Sequence, residues 1–153
     1  MKPQTEIFEA EEATALICES DEKLQSVVAD QIKSLGFKMQ LGLFREDVAV
    51  RLQTNAYDVL IVSEGFENVE GEWNPIIMDC CDLSPAHRRS IFIVLTGPEF
   101  KTEDGVQAFQ RSVDLVVSTA DLGRLAGILR RGLDDHKLRY RAFHECAEGT
   151  PAT

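Results

Sequence analysis

The sequence predicts one α/β domain built on a five-stranded parallel sheet, doubly wound, with helices on both faces. Three observations predict it. The runs Val59-Leu60-Ile61-Val62 and Ile91-Phe92-Ile93-Val94-Leu95 are apolar without alternation, which suits strands buried on both faces. Each strand-like run is followed by a helical pattern, and that order implies parallel strands with right-handed crossovers. A chain of 153 residues is about one domain and can bury a core without a metal or disulfide.

Residues 1–12 carry Glu6, Glu9, Glu11 and Glu12 with little to bury, and read as a flexible acidic leader. Ala13-Thr14-Ala15-Leu16-Ile17-Cys18 is the first strand. Ser20 or Asp21 caps the next helix, whose stripe is Leu24, Val27, Val28, Ile32 and Leu35, with Gly36 as the stop. Phe37 to Leu41 alternates and reads as a strand near the sheet edge. Arg45 to Thr54 is a short helix with Val48, Ala49 and Leu52 inward. Tyr57 to Ser63 is the central strand. Residues 64–89 are irregular, with a helix from about Asn74 to Asp82 started by Pro75 and ended near Ser84-Pro85.

Ser90 to Leu95 is the fourth strand and Thr96-Gly97-Pro98 its exit. Thr102 to Ser112 is a weak helix and Val113 to Ser118 the fifth strand. The last helix starts near Asp121, with Leu122, Leu125, Ile128, Leu129 and Leu133 on its inner stripe. If it runs to Glu145 it is about 37 Å long, roughly a dozen residues more than the sheet needs. The division is therefore leader 1–12, domain 13–133, and helix extension with tail 134–153.

Function in such sheets sits just past the carboxyl ends of the strands. Glu19-Ser20-Asp21 follows the first strand here. Ser63 ends the third, Thr96 the fourth, and Ser118-Thr119 the fifth.

Over residues 13–133 this pattern resembles the receiver domain of bacterial response regulators, a flavodoxin-like (βα)5 fold. In that family an acidic pair after the first strand binds magnesium and an aspartate ending the third strand accepts a phosphoryl group. A Thr or Ser ends the fourth strand, and a Lys, usually before Pro, ends the fifth. Metal and lysine neutralise the transferred group. Matched by position, this chain keeps Glu19 but has Ser20 for the second acid, and it has Ser63 at the phosphoacceptor. Thr96 keeps the hydroxyl, while Ser118 and Thr119 replace lysine and proline.

An alcohol needs a base to act as acceptor, and a hard cation needs carboxylates. The resemblance therefore implies a degenerate pocket of Glu19, Ser20, Ser63, Thr96 and Ser118, with no catalytic residues and no magnesium. The expected function is a non-enzymatic pseudo-receiver that signals by protein–protein interaction. The alternative is an atypical receiver taking phosphate from a histidine kinase on Ser63 or a nearby acid. A small-molecule sensor is a third option, without a ligand signature.

Other features fit this reading. Glu64 follows Ser63 but should point to the opposite side. Glu19 and Asp21 lack a third acid for a cation. Cys80-Cys81, His87 and His144-x-Cys146 lack zinc-ligand spacing, and with Cys18 read as reduced thiols of a cytoplasmic protein. No phosphate-loop, dinucleotide or nucleophile-elbow motif is present. A net charge of −10 argues against nucleic-acid or anionic-membrane binding, and no run is long enough to span a membrane. The partner is expected to be a signalling protein or a second copy, using the face of the fourth helix, fifth strand and fifth helix. Val106, Phe109 and Leu125 belong to that surface, joined by Leu138, Tyr140 and Phe143, which alternate with Lys137, Arg139 and Arg141.

Overall fold

The structure, a computed structural model, describes residues 13–68 and 73–136. The acidic leader, the tail, and Leu138, Tyr140 and Phe143 lie outside the described residues.

Strands and helices alternate, with one further short helix between β3 and β4: β1 Thr14–Cys18, α1 Glu22–Ser34, β2 Lys38–Leu41, α2 Arg45–Thr54, β3 Val59–Ser63, α3 Pro75–Cys81, β4 Phe92–Gly97, α4 Gly105–Gln110 and β5 Leu115–Ser118. A 3-10 turn, Thr119–Arg124, leads into α5, residues 125–136. All strand pairs are parallel, in the order β2-β1-β3-β4-β5. The doubly wound five-stranded sheet is thus as the sequence predicts, and β2, with alternating burial, is an edge.

Alternate residues of β1, β3, β4 and β5 feed two cores, because strand side chains point to opposite faces. Ala15, Ile17, Val59, Ile61, Val94 and Val117 pack against Val28, Ile32, Leu125, Ile128 and Leu129 of α1 and α5. Leu16, Leu60, Val62, Ile93, Leu95 and Val116 pack against Val48, Leu52, Ile76, Ile77 and Ala108 of α2, α3 and α4. Leu125 is 0% exposed, so its assignment to the partner surface is corrected. As the first α-helical residue after the 3-10 turn it faces the sheet, in line with Leu129 one turn on.

Polar side chains fix the helix starts. Asp21 Oδ1 accepts the N–H groups of Lys23 and Leu24, and Asp104 Oδ1 those of Val106 and Gln107. Gly36 ends α1 at φ +86°, a backbone position that suits a residue without Cβ.

Three boundaries differ from expectation. Ser84 and Pro85 open a one-turn helix, Pro85–Arg89, whose first free N–H is met by Ser84 Oγ. α5 begins as a 3-10 turn capped by Ser118. α4 is shorter than the span Thr102 to Ser112, because Thr102 and Glu103 lie along the free edge of β5. There Ser118 N–H donates to Thr102 Oγ1 at 2.9 Å, and Glu103 N–H to the Val116 carbonyl at 2.9 Å. This shields the outer strand from pairing with another chain.

Candidate functional site

Strand register brings the expected site residues to one rim. Cys18 pairs with Val62, so Glu19 comes beside Ser63; Ser63 pairs with Thr96, and Gly97 with Ser118. Glu19 and Thr96 are buried, Ser63 and Ser118 half-buried, and Ser20 exposed.

Glu19 is the acid of the rim and is only 6% exposed. Its Oε2 accepts the Asp21 N–H at 3.1 Å, and the Ser63 hydroxyl and Ser20 N–H lie near enough to favour its charged form. Its carbonyl takes Gln25 Nε2 at 2.9 Å. Burial raises the carboxyl above its usual range; the Asp21 N–H, the Ser63 hydroxyl and the Ser20 N–H pull it back in part. Asp21 is committed to capping α1. Among the described residues no group of three or more His, Cys, Asp or Glu is placed to hold a metal ion.

Ser63 and Glu64 diverge as the pleat requires. Ser63 faces Glu19, whereas Glu64 Oε2 pairs with Arg111 Nη1 at 2.7 Å on the side of α4. Both main-chain carbonyls are held by Asn74, whose Nδ2 donates to Ser63 O and Glu64 O at 3.1 Å each. Asn74 Oδ1 accepts the N–H groups of Ile76 and Ile77, so one buried amide caps α3 and anchors the end of β3.

At the end of β5, Ser118 Oγ accepts the Ala120 N–H. Thr102 donates its hydroxyl to Asp121 and accepts from Ser118 N–H, so a hydrogen-bonded side chain closes this end of the rim. The Thr102 bond, then the Arg124 guanidinium, holds the Asp121 carboxyl below its ordinary range.

Asn74, Thr102 and Arg111 were not singled out from the sequence. A buried asparagine just before Pro75 is a readable signal for a cap. Nothing local marks the other two, whose partners lie 16 and 47 residues away. Val106 and Phe109 are 66% and 85% exposed. Cys18 and Cys80 are buried thiols; burial pushes Cys80 up to about 12 and Cys18 higher still, so neither is a ready thiolate at neutral pH. Among the described residues no helix is long and apolar enough to cross a membrane.

Family models and curated protein sequences return no match. Solved structures do. The chain is similar to HP1043, an orphan response regulator of H. pylori, with TM-score 0.60 and 17% identity over 80% of this chain and 98% of that one. It is similar to a CheY-like response regulator receiver domain from Methanospirillum hungatei (0.63, 10%, 84% and 98%). It is similar also to the chemotaxis response regulator CheY4 of Vibrio cholerae (0.57, 12%, 79% and 98%).

Proposed function

With the receiver fold as premise, we propose that this chain is a pseudo-receiver: a cytoplasmic, non-enzymatic signalling module that acts by protein–protein interaction without phosphorylation. The observation that supports this most is the state of Ser63. It stands at the end of β3, where receivers carry the acceptor aspartate, and brings an alcohol in place of that carboxylate. The surroundings support the same reading. Ser20 brings no charge, Asp21 caps a helix, and Glu19 Oε2 is taken by the Asp21 N–H. This donor set does not fit a hard divalent cation, which draws its affinity from free carboxylates. Ser118 supplies no cation.

The interaction surface in this reading is the α4–β5–α5 face, led by Phe109 and Val106. It meets a signalling protein or a second copy of the chain, with no role for nucleic acid or membrane. Exposed apolar side chains of this kind can anchor a partner.

One observation favours a second reading. A serine hydroxyl beside a buried carboxylate of raised pKa is a setting in which an alcohol nucleophile can be activated. Under that reading Ser63 accepts a phosphoryl group with Glu19 as base. Incubation with acetyl phosphate and magnesium, read by intact mass, separates the two. The pseudo-receiver gains no mass. A gain of one phosphoryl group, abolished by Ser63→Ala, establishes the second reading.

A further inference from the structure

Residues 97–111 leave the sheet at the end of β4 and are fastened down along their length. Gly97 starts the segment under close packing: a Cβ there would stand 3.0 Å from the Phe100 ring and 3.3 Å from Glu64 Cβ. Phe100 is buried in the α2–α4 core. Thr102 and Glu103 are bonded to the edge of β5, and the Glu103 carboxylate meets Arg131 of α5 at 3.2 Å. Arg111, at the far end of α4, returns to the start of the segment. Its guanidinium lies 5.2 Å from the Phe100 ring centre and makes the 2.7 Å ion pair with Glu64.

The two ends of α4 carry backbone strain. Glu103, just before the capping Asp104, and Ser112, just after Arg111, have φ of +67° and +62°. Non-glycine residues hold such angles where surrounding contacts impose them. Glu103 is held by β5 and Arg131, and the Ser112 carbonyl by Arg88 Nη2. The Glu64 carboxylate is half-buried, and its Oε1 is buried without a hydrogen-bond partner. A carboxylate so desolvated is tolerated because Arg111 compensates it.

We infer that residues 97–111 form a strap clasped by the Glu64–Arg111 ion pair over Phe100, which holds α4 and its exposed Val106 and Phe109 in one fixed position. A resident carboxylate, one residue past Ser63, thereby secures α4 from the rim without a transferred group. The significance of the clasp rests on the pseudo-receiver reading; its existence does not.

The test is amide hydrogen exchange in the full chain, comparing Val106 to Gln110 in α4 with Val28 to Ile32 in α1. Glu64→Gln keeps the shape and removes the charge; Arg111→Gln removes charge and ring contact. Each should speed α4 exchange about tenfold, the scale of a half-buried ion pair aided by a cation–ring contact, and leave α1 unchanged. The double variant should exchange no faster than the faster single one. If Arg111→Gln does not fold, Arg111→Lys, which keeps the charge, replaces it with a smaller acceleration expected. Unchanged α4 exchange in Glu64→Gln, or single effects that multiply in the double variant, would overturn the clasp. Neither result bears on phosphoryl uptake, and uptake at Ser63 would sink the pseudo-receiver reading while leaving the clasp in place.

Discussion

The body of the sheet and its carboxyl rim obey different constraints. In the body, Leu60, Ile61, Ile93 and Val94 are enclosed between two helix layers, and burial dictates what each position holds. At the rim, Glu19, Ser63, Thr96 and Ser118 sit on the same frame, but nothing about packing dictates their chemistry. The body has the shape found in receivers, while in the proposed reading the rim has Ser20, Ser63 and Ser118 where receivers carry charge. Fold and activity can be separated in such a sheet because they reside in different residues of the same strands.

Substitutions can sharpen that contrast, beginning with the largest effect. Leu60→Ala removes a fully buried side chain from β3 and should cost about 3 kcal/mol of unfolding free energy in chemical denaturation. Asn74→Ala lies where body and rim meet. It removes a cap and one of the two donors to each of the carbonyls of Ser63 and Glu64, which Phe66 N–H and Asn68 Nδ2 also reach, and should cost about 2 kcal/mol. Ser63→Ala, on the rim itself, should move stability by less than about 1 kcal/mol, since it removes a single hydroxyl from a half-buried position. A Ser63→Ala loss as large as that of Leu60→Ala would erase the distinction between the two regions.

Acidity gives a subtler test. Glu19 titrates in the folded chain above its ordinary 4.5, chiefly because of burial. A raised carboxyl favours the protonated native form. Its contribution is therefore most favourable below about pH 4.5 and diminishes as pH rises through the folded value. Glu19→Gln keeps an acceptor for the Asp21 N–H without the charge. The stability difference between Glu19→Gln and the natural chain should be small in acid and should shift in favour of the variant as Glu19 ionises. A difference that shifts the other way would mean that the Ser63 hydroxyl and the backbone N–H groups outweigh burial.

The body was legible in the sequence because its signals are local. Unbroken apolar runs marked β3 and β4, alternation marked the edge strand β2, and Gly36 and Pro75 marked a helix end and a helix start. The rim positions were also legible, since they follow the runs directly. How the rim is closed was not. Thr102 reaching Ser118, and Arg111 reaching Glu64, are pairings between distant segments with no local pattern. The one-turn helix at Pro85 is too short to show periodicity. Leu125 shows the opposite failure: its helical stripe placed it inside, an analogy of faces placed it outside, and the stripe was right.

The most direct measurement compares the natural chain with a variant carrying Ser20→Asp, Ser63→Asp and Ser118→Lys, each incubated with acetyl phosphate and magnesium and weighed intact. If the rim alone separates this chain from a working receiver, the natural chain stays at its own mass and the variant gains one phosphoryl group. A natural chain that gains the group, and loses the ability on Ser63→Ala, would contradict the account.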